Sequence, residues 1–100
     1  MTIEEIQRSI RSRQYVYSAH ADMKRKARGL TIAQVRAALL NGEILEEYPD
    51  TGRGESCLVL GLADEQPIHI VCARFGEKIV LVTVYVPEPP NFVDPRTRGE

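Results

Sequence analysis

Up to Leu40 the apolar residues recur every three or four positions. Beyond Gly42 they alternate or run together, so the chain reads as helices followed by strands. Thr2, with Glu5 three residues on, is a capping box that opens a short amphipathic helix with Ile3, Ile6 and Ile10 as its stripe. Tyr15, Val16 and Tyr17 make a brief β-like stretch. Ser18 then caps a second helix that runs to Arg28, and Gly29 is placed to end it. Thr31 and Gln34 form another capping box. Ile32, Val35, Ala38 and Leu39 supply that helix's period, and Asn41-Gly42 closes it.

Four strands follow: Glu43 to Tyr48, Glu55 to Ala63, Pro67 to Arg74 and Lys78 to Val86. They are joined by the loop Pro49 to Gly54, the turn Asp64-Glu65-Gln66 and a tight Gly76-Glu77 hairpin. Connections this short favour antiparallel neighbours. The expected fold is therefore α+β, with N-terminal helices packed on a four-stranded antiparallel sheet. Pro87 to Glu100 carries four prolines and no periodicity, which predicts an extended or mobile tail. The chain divides into an N-terminal helix (1–14), a central α+β domain (15–87) and a flexible tail (88–100).

Alternation sorts the strand side chains by face. One consistent assembly turns Val80, Val82, Val84 and Val86, Ile68, Ile70 and Cys72, and Leu58, Leu60 and Leu62 toward the helices. The other face then collects His69, Thr83, Tyr85, Gly61 and Ala73, a mixture of small and polar groups that suits a shallow concave site better than a core.

Length and composition narrow the classes. One hundred residues make a single domain, and 43% hydrophobic content excludes global disorder. The longest apolar run, Ile79 to Val86, is too short to span a bilayer. The acidic, amphipathic start Met1-Thr2-Ile3-Glu4-Glu5 is unlike a secretory signal. Cys57 and Cys72 both sit in apolar runs, so they read as reduced core residues of a cytoplasmic protein.

The net charge of −1 conceals an asymmetry. Between Arg8 and Arg36 there are eight basic residues and one acid, Asp22, whereas between Glu43 and Glu65 there are seven acids and one base, Arg53. Such a split fits a phosphate-binding face or a charged protein partner, and it equally fits two halves that attract each other across the fold.

The second helix sharpens this reading. His20, Lys24 and Arg28 recur every four residues and so form one stripe, with His20 at the N-terminal end. A neutral imidazole takes a proton from a hydroxyl, and two cations stabilise charge building on phosphorus, so the stripe suits a phosphodiester. The plainer reading is a solvated basic face with His20 folded back on the helix end. His69 is either a satisfied residue of a half-buried sheet or the second member of an acid–base pair with His20. Tyr85 is either a packing ring or a hydrogen-bond donor to phosphate, and Thr83 either a strand former or a phosphate ligand.

Other chemistries lack their motifs. His69 and Cys72 are three apart on a strand and point to opposite faces, and there is no CxxC or HxxxH spacing, so no metal and no cofactor is expected. Gly52-Arg53-Gly54 is a turn rather than a phosphate loop, because no GK[ST] follows, although Arg53 has the length to reach a ligand. There is no GxSxG and no carboxylate pair on an apolar background.

The string Ser18-Ala19-His20-Ala21, followed by Lys24, Arg28-Gly29-Leu30-Thr31, Val35 and Asn41-Gly42, resembles the bacterial family known as domain of unknown function 4258. Glu46-Glu47-Tyr48, Pro67-x-His69 and Thr83-Val84-Tyr85 match it as well, so the resemblance covers Tyr15 to Val86. The family is similar in layout to RelE/barnase-type ribonuclease toxins. The resemblance implies a metal-independent, RNA-cleaving, toxin-like domain, encoded beside an antitoxin-type protein partner. Carried over by position, His20, His69 and Tyr85 are the catalytic candidates, and Lys24, Arg28 and Thr83 bind phosphate. Lys24 departs from the expected arginine, keeping the charge but losing the bidentate fork.

On this reading His20 or His69 deprotonates the ribose 2′-hydroxyl of single-stranded RNA, and the other protonates the leaving 5′-oxygen. The same fold serves equally as a non-catalytic RNA- or protein-binding module. A third reading is a homodimer in which the basic helix of one subunit meets the acidic strand of another.

Overall fold

A computed structural model describes residues 1–50, 52 and 54–99. Three helices, α1 (Ile3–Arg11), α2 (Ala19–Ala27) and α3 (Ile32–Leu40), precede the main strands β2 (Glu43–Tyr48), β3 (Ser56–Ala63), β4 (Gln66–Phe75) and β5 (Lys78–Tyr85). A short strand β1 (Tyr15–Tyr17) lies between α1 and α2, and the tail carries β6 (Phe92–Asp94) and β7 (Thr97–Arg98).

Local chemistry sets the helix limits. Thr2, Ser18 and Thr31 each accept a hydrogen bond from the backbone N–H three residues on, satisfying a donor that the first turn leaves open. At Thr31 the box is reciprocal, because its own N–H donates to Gln34 Oε1 at 2.9 Å. α2 ends where Gly29 turns left-handed (φ 70°), letting Leu30 N–H reach back to the Arg25 carbonyl.

The main sheet has five strands in the order β1-β5-β4-β3-β2. This corrects the expected four-stranded antiparallel sheet. Tyr15–Tyr17 joins it, and does so parallel to β5, with Val16 opposite Val80. A strand of three residues whose partner lies so far along the chain carries no local sign of its pairing.

The helices cover one face. Ile6 and Ile10 of α1, Ala21 of α2, and Val35, Ala38 and Leu39 of α3 pack on Val59, Ile68, Ile70, Cys72, Leu81 and Val84, all buried. The expected faces need two corrections. In β3 it is Cys57, Val59, Gly61 and Ala63 that look toward the helices, while Leu58 and Leu60 look outward beside Val71 and His69. In β5 the register passes from Leu81 opposite Cys72 to Thr83 opposite Val71, leaving Val82 as an extra residue. That bulge reverses the alternation, so Ile79 and Leu81 face the helices before it and Val84 after it.

The tail segment, whose composition carries no periodicity, holds two short strands. β6 and β7 form an antiparallel ribbon, and Phe92 within it is buried. Two ion pairs fasten the ribbon to β2: Arg98 is bidentate to Glu46 at 2.6 and 2.7 Å, and Arg96 pairs with Glu43. Among the described residues no helix is long and apolar enough to cross a membrane.

Candidate functional site

The site is placed by the way α2 leaves the sheet. Ser18 N–H donates to the Leu81 carbonyl at 3.0 Å, and its hydroxyl donates to the Val82 carbonyl at 2.9 Å while accepting from Ala21 N–H. The chain therefore turns directly from β1 into a helix that runs beside β5, where β1 no longer covers it. Within its first turn, His20 Nε2 lies 3.1 Å from Thr83 Oγ1, with the imidazole exposed.

Lys24 and Arg28 continue the stripe. With Tyr85, Glu88, Phe92 and Arg98 they line a surface cavity of about 510 Å³. His20 and Thr83 stand just outside it, His20 one helical turn before Lys24 and Thr83 two residues before Tyr85 on the strand. Arg28 pairs with Glu88 at 2.5 Å, and Asp22 takes Arg25 and Lys26. Lys24 has no carboxylate partner among the described residues.

His69 lies behind Tyr85. Its β4 position is opposite Tyr85 in β5, and Tyr85 OH lies 3.2 Å from His69 Nδ1. Its other nitrogen, Nε2, is 2.7 Å from the Pro95 carbonyl of the tail, and Phe92 stands edge-on to the ring at 4.4 Å. A carbonyl only accepts, so Nε2 carries the hydrogen and Nδ1 accepts from the Tyr85 hydroxyl. The ring is 0% exposed and both of its nitrogens are occupied. His69 thus lies behind two residues of the cavity wall, Phe92 and Tyr85, and its hydrogen bond reaches only Tyr85, whose own proton points inward and whose lone pairs are left for a donor on a ligand.

Burial pushes the His69 ring below the ordinary 6.5, against the opposing pull of its bond to Pro95 and of nearby Glu46. The unfolded chain therefore protonates this ring more readily than the folded one does. Stability tied to neutral His69 is complete above about pH 6.5 and is lost as the pH falls toward the lower folded value. The melting temperature is expected to drop as the pH is lowered below about 6.5, and less so in His69→Gln. Arg98 holds the Glu46 carboxyl below its usual range, so that group contributes only at lower pH. An equal drop in both chains would remove His69 as the cause.

The structure thus brings Lys24, Arg28 and Tyr85 to one cavity, sets His20 on Thr83 beside it, and encloses His69 beneath it. Arg53 lies outside the described residues. Sequence reasoning missed the tail residues Glu88, Phe92, Pro95 and Arg98. The available signal was charge, since Arg96 and Arg98 complement the acidic strand Glu43 to Tyr48. Because Glu43 and Glu46 are satisfied within the chain, a homodimer built on that strand loses two of the carboxylates it requires.

No curated protein and no solved structure matches the chain. The family model for Domain of unknown function (DUF4258) matches residues 17–86, a span that contains His20, Lys24, Arg28, His69, Thr83 and Tyr85. The chain belongs to the DUF4258 family.

Proposed function

We propose that this chain is a toxin-like, metal-independent ribonuclease domain acting on single-stranded RNA, held in check by an antitoxin-type protein. The observation that carries the reading is the exposed His20 on one stripe with Lys24 and Arg28, beside a cavity that also receives Tyr85. The helices and the antiparallel run β2 to β5 are compatible with the layout of RelE/barnase-type toxins.

In this mechanism neutral His20 takes the proton of the ribose 2′-hydroxyl, and the 2′-oxygen attacks phosphorus. Lys24 and Arg28 stabilise the added charge on the phosphoryl oxygens. The P–O5′ bond breaks to leave a 2′,3′-cyclic phosphate and a 5′-hydroxyl. With both nitrogens of His69 engaged, the leaving oxygen draws its proton from water, and His69 is a positioning residue for Tyr85. Tyr85 accepts a hydrogen bond from the ribose or base and so orients the nucleotide.

The enclosure of His69 favours one alternative: a domain that grips the RNA backbone without cutting it, for want of a second accessible acid–base group. Incubating the chain with labelled single-stranded RNA in EDTA decides between the two. Cleavage to cyclic-phosphate ends, with a DNA of the same sequence left intact, is the expected result. RNA retained at low salt and released uncut at high salt supports the binding domain. Neither cutting nor retention overturns both.

A further inference from the structure

We infer that Glu88 is a built-in competitor for the phosphate seat at Arg28: its carboxylate occupies the position that a ligand's phosphate takes, and a ligand enters by displacing it. This rests on the phosphate-binding reading of the cavity and names how that site is regulated.

The observations converge on one side chain. Glu88 Oε1 is 2.5 Å from Arg28 Nη2, within the cavity that Lys24 also lines. A carboxylate and a phosphate present the same paired oxygens to a guanidinium, so a phosphate that takes Arg28 by its Nη2 must displace Glu88 from that nitrogen. Lys24, one turn earlier, faces the same space with no carboxylate partner among the described residues, so one cation of the seat is open while the other is taken.

Glu88 is delivered to that position by a docked segment. Phe92 N–H donates to the Glu88 carbonyl at 3.1 Å, and Phe92 is itself buried against His69. Farther on, the Pro95 carbonyl holds His69 and Arg98 holds Glu46. These anchors do not involve the Glu88 carboxylate, so it can swing out while the tail stays docked. Arg28 and Glu88 side chains are 41% and 59% exposed, which makes their ion pair weak and exchangeable. Glu88 lies two residues beyond the span 17–86 that the family model matches.

The test uses the full ¹⁵N-labelled chain and inorganic phosphate at constant ionic strength, following the Arg28 side-chain N–H and the Tyr85 and Val86 amides. Glu88→Gln is expected to bind phosphate about fivefold more tightly than the unaltered chain. In an Arg28→Ala background the same substitution is expected to bring no gain. Equal affinities with and without Glu88→Gln overturn the inference, as does a gain that persists without Arg28. An oligouridylate titration separates this from the ribonuclease reading. If Glu88→Gln improves phosphate binding but neither chain binds the oligouridylate, the competitor stands and the RNA reading falls.

Discussion

Replacing His20 with alanine is expected to lower the rate of RNA cleavage about 10²-fold or more while leaving the fold unchanged. The size follows from the proposed role: His20 is the exposed imidazole on the stripe, and without it the 2′-hydroxyl proton would have to go to water. The fold is indifferent because the side chain is exposed and its one hydrogen bond is to Thr83 Oγ1, a hydroxyl that water can serve instead. Such surface changes move stability by no more than about 0.5 kcal/mol. Cleavage rates and urea midpoints measured on the same preparations check both halves. A His20→Ala chain that unfolds would make the histidine structural, and one that cuts at the original rate would move the chemistry elsewhere.

The largest expected loss of stability is at Gly61. A Cβ there would lie 1.9 Å from the Ala38 carbonyl oxygen and 2.6 Å from its carbon. Both are backbone atoms of α3, so no side chain can turn aside to make room. The helix would have to lift from β3, opening the contacts of Val35, Ala38 and Leu39 with the sheet. Gly61→Ala is expected to cost about 3 kcal/mol, a large part of the roughly 5–15 kcal/mol that holds a domain of this kind together. The urea midpoint should fall with its slope unchanged. An unchanged midpoint would mean that α3 does not press on β3 as described.

The parts of this fold that were legible in the sequence are those decided locally. Thr31 and Gln34 cap α3 with atoms three residues apart, and Gly29 ends α2 by its own backbone freedom. The four long strands follow from alternation and turn residues, within a residue or so at each end. What could not be read is decided between distant segments. β3 is buried on both faces from Cys57 to Leu60, so its pattern does not say which side meets the helices. The extra residue at Val82 leaves no mark in a run of alternating valines. In the site, helical spacing placed His20, Lys24 and Arg28 together, and strand parity placed His69 with Thr83 and Tyr85. Neither could show that Pro95 and Phe92 close over His69, because that depends on where the tail docks.

The parallel pairing of β1 with β5 sets a timetable. Tyr15–Tyr17 is made early by the ribosome, yet its partner residues Ile79–Leu81 are among the last of the main sheet to emerge. α2 is fixed beside β5 through Ser18, so His20, Lys24 and Arg28 cannot reach their places until β5 exists. A nascent chain carries all three side chains without a site until Leu81 and Val82 have been made. For the ribonuclease proposed above, this order would spare the message and the ribosome that are still producing it.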